Sequence, residues 1–156
     1  MSKVLFQNSE GLLPAIQSVG CFFRSCLRIA EIEVGENLIA SQINALWKEA
    51  KSRGFIDEKS EIVRSAPIIN LAFDTLGSEK RAAEVGIFKD GETAFCAWTH
   101  SYKEYQQFNY LIQKVHTIND HTHFRVVNKR GTVIFDPYFP SPDIAFIYYS
   151  ILYHIS

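Results

Sequence analysis

The chain has 156 residues, 47% of them apolar and 21% charged, and sixteen basic against seventeen acidic residues leave a net charge of −1. That balance suits one folded domain over residues 1–156 and excludes a disordered chain, because there is ample apolar surface to bury. With no run of one charge sign there is no basic stripe for nucleic acid, and the most apolar stretch, residues 144–155, falls well short of the ~20 needed to span a bilayer.

Residues 12–33 carry apolar side chains at positions 19, 22, 23, 26, 27 and 30, a helical period interrupted by Gly20 and closed by Gly35. A second helix is predicted over residues 36–53, with Leu38, Ile39, Ile43, Leu46 and Trp47 on one face and Gly54 behind it. A third covers 66–76, with Pro67 in its first turn and Gly77 after it. The second half reads as strands. Residues 82–88 and 93–99 flank Lys89-Asp90-Gly91-Glu92 as one hairpin, and 123–128 and 132–135 flank a turn with Gly131 as another. Residues 108–117 form a further strand, and 144–153 a final strand or short helix. Helices followed by antiparallel strands make an α+β domain.

The start of the chain has no apolar run of signal-peptide length, which predicts a cytoplasmic protein. The three cysteines, Cys21, Cys26 and Cys96, show no paired zinc spacing and read as free thiols. Cys26 shares the apolar helix face with Phe22, Phe23, Leu27 and Ala30, and Cys96 sits in a strand pattern, so both are expected in the core. Cys21 follows Gly20 at the helix start and falls with Arg24, Ser25 and Arg28 on the other side. A thiolate needs positive potential, which a helix N-terminus supplies, and Arg24 one turn on would add to it. Read alone, Cys21 is a small apolar residue tucked under a neighbouring loop, and it is the polar face, the preceding Gly20 and the partner described next that set it apart.

His123 opens a strand that returns, after the turn, to Asp136-Pro137-Tyr138. A two-residue loop of Lys129 and Arg130 would set His123 opposite Asp136, where the carboxylate would orient the imidazole. A three-residue loop with Gly131 left-handed would set Phe124 opposite Asp136 and turn His123 away, unless a further bulge or the bend at Pro137 restores the pair. We expect His123 and Asp136 to be neighbours.

Gln17, Gly20-Cys21, His123-Phe124-Arg125-Val126-Val127 and Asp136-Pro137-Tyr138, in that order, resemble the papain-like cysteine hydrolases, most nearly the bacteriocin-processing peptidase domains. There is also a fainter similarity to prophage-linked proteins of spirochaetes. The resemblance implies a papain-like fold, with helices packed on an antiparallel sheet. It implies a Cys21–His123–Asp136 triad attacking a peptide or peptidoglycan-type amide, an oxyanion role for Gln17, and no cofactor. Trp98 and Tyr138 would line the substrate cleft. Two features depart from the pattern: Gln17 stands closer to Cys21 than the family usually has it, and large Phe22-Phe23 follow the nucleophile.

Two other readings stand beside this one. The domain would be an inactive interaction or phage-associated module, or a metal-dependent hydrolase. In the latter, His121 and His123 share a strand face, Asp120 or Asp136 adds an oxygen ligand, and His100 and His116 stand in reserve.

Overall fold

The computed structural model describes residues 3–89 and 108–156. Gly20 breaks the first helical stretch into α1 (Pro14–Val19) and α2 (Cys21–Val34). A Cβ at Gly20 would lie 2.4 Å from the Ile16 carbonyl oxygen, so only glycine lets the two helices join this closely. Gly35, left-handed at φ 78°, ends α2 and donates its N–H to the Glu31 carbonyl. Helix α3 (Ala40–Ser52) begins later than its sequence pattern suggests, because residues 36–39 stay outside the helix and the Gln42 side chain accepts the Ile39 N–H. Helix α4 (Ala66–Thr75) starts with Pro67 in its first turn.

Five strands follow, β1 (Ala82–Lys89), β2 (Tyr110–Thr117), β3 (Thr122–Asn128), β4 (Val133–Phe135) and β5 (Ile144–Ile155). They form one antiparallel sheet in the order β1-β5-β2-β3-β4. The protein is therefore α+β. The last apolar stretch is a strand, and it sits between β1 and β2. The expected strand 93–99, and with it the core placement of Cys96, lies outside the described residues.

Alternate residues of the central strands, among them Tyr110 and Ile112 on β2 and Ile151, Tyr153 and Ile155 on β5, join the helices in one apolar core. Phe23 and Trp47 meet edge to face in it, with ring centroids 5.0 Å apart. No helix among the described residues is long and apolar enough to cross a membrane.

The expectation that α2 turns Cys21, Arg24, Ser25 and Arg28 toward a polar exterior is corrected by the fold. Arg24 and Ser25 are fully buried, because the N-terminal segment lies over that face. Arg24 Nε donates to the Leu5 carbonyl at 2.8 Å, and Arg24 Nη2 pairs with Glu31 at 2.7 Å with both side chains excluded from solvent. Arg28 also reaches Glu31, and the other Glu31 oxygen accepts the Leu38 N–H. The same segment is tied to the far side of the sheet. Phe6 stacks on Phe135, the Gln7 N–H donates to the Pro137 carbonyl, and the Asn8 carboxamide bonds Phe139.

A buried ion pair that loses one partner leaves an uncompensated charge, at a cost of about 3–5 kcal/mol. Glu31→Ala should lower the unfolding free energy by about that much in urea titrations. Replacing both partners by apolar residues, Arg24→Met with Glu31→Leu, should recover much of the loss. A single-variant loss no larger than that of an exposed pair would show that the network carries little stability.

Candidate active site

The hairpin of β3 and β4 decides where His123 points. Its loop is the three-residue one: the Asn128 N–H donates to the Thr132 carbonyl, and Gly131 takes φ 86°. Val127 then faces Val133, a register that by itself would bring Phe124 opposite Asp136. The register shifts before the next pair, however, and Val126 faces Phe135. One extra residue, Ile134, has entered β4. Beyond it Arg125 falls opposite Asp136, and His123 shares that side. The Arg125 guanidinium accordingly feels the charge of Asp136.

His123 Nε2 and Asp136 Oδ1 are 2.7 Å apart, with both side chains largely shielded from solvent. The same Asp136 oxygen accepts the Tyr138 N–H at 3.0 Å, so the turn at Pro137 fixes the carboxylate. Cys21, the first residue of α2, lies beside His123 in the same cleft, near enough to act on the ring electrostatically. With Nε2 on Asp136, the remaining ring nitrogen is Nδ1. Phe22 and Phe124, the residues after Cys21 and His123, stack at 4.3 Å with their planes 16° apart. That contact clamps α2 to β3 next to the pair, so the large residue after Cys21 anchors the helix.

Burial alone would lower the pKa of His123. Its hydrogen bond to Asp136, together with the charge of Asp136 and the influence of the neighbouring Cys21, more than offsets this and raises it from 6.5 to about 9. The ring therefore carries a proton at neutral pH. Burial pushes the Cys26 thiol well up, which makes it inert beside Cys21.

Cys21, His123, Gln7, Ser18, His121 and Tyr138 line a cleft of about 350 Å³, floored by the β2–β3 turn. This size suits a small ligand or a few residues of a peptide. The first backbone N–H groups of α2 have no acceptor within the helix, so the cleft lies at a site of partial positive charge.

Cys21, His123 and Asp136 thus come together, and Tyr138 lies in the cleft wall. Gln17 does not join them. Its Nε2 donates to the Ser9 carbonyl at 3.0 Å, and it is absent from the cleft wall, so its expected oxyanion role is corrected. The carboxamide in the wall is that of Gln7, which sequence spacing did not reveal because α1 intervenes between it and Cys21. Arg24, expected to favour a thiolate, is paired with Glu31 instead. Trp98 and His100 lie outside the described residues.

The histidines expected to share a metal are separated by their own contacts. His123 is turned onto Asp136, while His116 bonds Asp120 at 2.7 Å and Tyr148 at 3.0 Å. His121 is exposed in the turn before β3. Among the described residues, no three His, Cys, Asp or Glu side chains are grouped to hold a metal ion. No family model, curated protein or solved structure matches this chain.

Because folding raises the pKa of His123, the folded state holds that proton more tightly than the unfolded chain. The resulting stabilisation is complete below pH 6.5 and is lost as pH rises through about 9. Wild type should therefore lose stability relative to His123→Gln between pH 7 and pH 10 in denaturant titrations. The His123 ring should titrate near 9 by NMR and lower in Asp136→Asn. A wild-type midpoint below 7 would refute the ion-paired site.

Proposed function

We propose that the chain is a cysteine hydrolase of the papain-like type, acting on a peptide or peptidoglycan-type amide through an acyl-enzyme. The observation that carries this reading is the His123 imidazole, bonded to the Asp136 carboxylate and sharing with Cys21 a cleft at a helix start. The order Cys, His, Asp along the chain and the α+β architecture agree with it.

In this mechanism the Cys21 sulfur, as the thiolate, attacks the substrate carbonyl carbon. The developing oxyanion lies near the α2 N-terminus, where the Cys21 N–H is available to donate to it. His123 delivers its proton to the amine as the C–N bond breaks, which leaves a thioester on Cys21 and a neutral imidazole. Water then gives a proton to His123 as its oxygen attacks the thioester, and the returning sulfur leaves as the thiolate beside imidazolium. Asp136 holds the ring in register and balances its positive charge throughout.

Alkylation by iodoacetamide tests the reading. An ordinary cysteine is only a few per cent thiolate at pH 7. Cys21 should therefore react about tenfold or more faster than glutathione at that pH, with the site mapped by peptide mass spectrometry. His123→Ala should slow it by a similar factor, and Asp136→Asn by less. A wild-type rate equal to that of glutathione would leave a binding module without turnover as the better description.

A further inference from the structure

Three elements meet at the cleft: the end of α1, the β2–β3 turn and the segment after β4. Each places a polar residue in the wall, Ser18, Asn119 and Tyr138. Each also places a large apolar residue directly beside it in the chain, Val19, Ile118 and Phe139, which are 51%, 61% and 64% exposed. They are three of the four most exposed large apolar side chains among the described residues. One exposed apolar side chain is ordinary, but a group of them around a concave site marks a surface that another molecule covers. Their backbones are fixed. Val19 ends α1, the Ile118 N–H donates to the Asp143 carbonyl at 3.0 Å, and the Phe139 carbonyl accepts the Asn8 carboxamide at 2.7 Å. Charge around the cleft is one-sided. Among the described residues, no Lys or Arg stands in the wall or next to a wall residue in the chain, whereas Asp120 and Asp143 each adjoin one. Both are exposed and bracket Ile118, and Asp120, bonded to His116 through one oxygen, has a side chain 93% exposed.

We propose that the mouth of the cleft binds an extended polypeptide segment in which a large apolar side chain and a Lys or Arg lie close to the scissile bond. The assignment rests on the cysteine-hydrolase reading and narrows its substrate class to apolar, cationic polypeptide rather than the small and acidic peptides of peptidoglycan. The apolar residues come from three separate elements around the cleft, so an occupant that touches all of them lies across it and passes Cys21. The carboxylates decide between occupants. They repel an anionic lipid surface and an acidic peptide, and a second copy would set one acidic mouth against another. Val19, Ile118 and Phe139 supply binding by burial of apolar surface, and Asp120 and Asp143 supply selection by charge.

The test uses three probes on the full chain, the chloromethyl ketones of acetyl-Leu-Lys-Ala, acetyl-Ser-Lys-Ala and acetyl-Leu-Glu-Ala. In each the Cys21 sulfur displaces chloride and forms a thioether. The Leu-Lys probe should label wild type about tenfold faster than the Ser-Lys probe. It should be about threefold faster than the Leu-Glu probe at low salt, a margin that shrinks as salt is added. Ile118→Ser with Phe139→Ser should bring the Leu-to-Ser ratio to about one, and Asp120→Asn with Asp143→Asn should do so for the Lys-to-Glu ratio, whatever the absolute rates. Equal labelling by all three probes, faster than glutathione, would overturn the assignment while leaving the hydrolase reading intact. So would a faster Leu-Glu probe, co-sedimentation of the chain with phosphatidylglycerol vesicles, or a dimer whose dissociation speeds labelling. If no probe labels Cys21 faster than it labels glutathione, both readings fall together.

Discussion

The site depends on one surplus residue in a short strand. A side chain in a β-strand points to alternate faces, so the count of residues between His123 and Asp136 decides whether they meet. The three-residue loop around Gly131 gives the wrong parity, and the bulge at Ile134 restores it. The cost is a locally disrupted ladder in a strand of only three residues at the sheet edge. The gain is an imidazole fixed by a carboxylate that is itself fixed by the turn at Pro137. From that pair follows the elevated pKa of His123.

Cys21 comes from the other half of the chain, and two devices bring the halves together. One is the stack of Phe22 on Phe124, which joins the immediate neighbours of Cys21 and His123. Aromatic pairs of this kind contribute about 0.5–1.5 kcal/mol beyond their burial. The other is the N-terminal segment. It is anchored to α2 through Arg24 and to the strand carrying Asp136 through Phe6, Gln7 and Asn8. Arg24 itself is held by Glu31, so a buried ion pair stands behind the alignment of the cleft. Its contribution is one of placement as much as of stability: the charges lock the segment over a single helix face.

Much of this was legible along the chain. Helical periodicity located α2 and α4 closely, and Gly20 marked Cys21 as the start of a helix. The aromatic and β-branched runs gave the strands of the second half, and Asp136-Pro137 announced a turn beside a possible partner for His123. The errors share a cause. Gln17 was favoured by the resemblance, although it stands closer to Cys21 than the family pattern has it, and its carboxamide is engaged by Ser9. Gln7 reaches the cleft by a path around α1 that no periodicity encodes. Arg24 was read as a cation available to favour a thiolate at Cys21, because a charge on a helix wheel does not disclose that another segment covers it.

The sequence by itself determined the local chemistry: which thiol stands at a helix N-terminus, which histidine opens a strand, and which carboxylate precedes a proline turn. These are consequences of interactions within a few residues, where backbone conformational limits and hydrogen-bond geometry leave few choices. Only the tertiary structure decided the strand order that sets β5 between β1 and β2, the bulge that returns His123 to Asp136, and the glutamine that shares the cleft with Cys21. Each of those depends on packing between segments far apart in the chain. There a shift of one residue, or the burial of one charged side chain, is settled by the sum of many contacts rather than by any local preference.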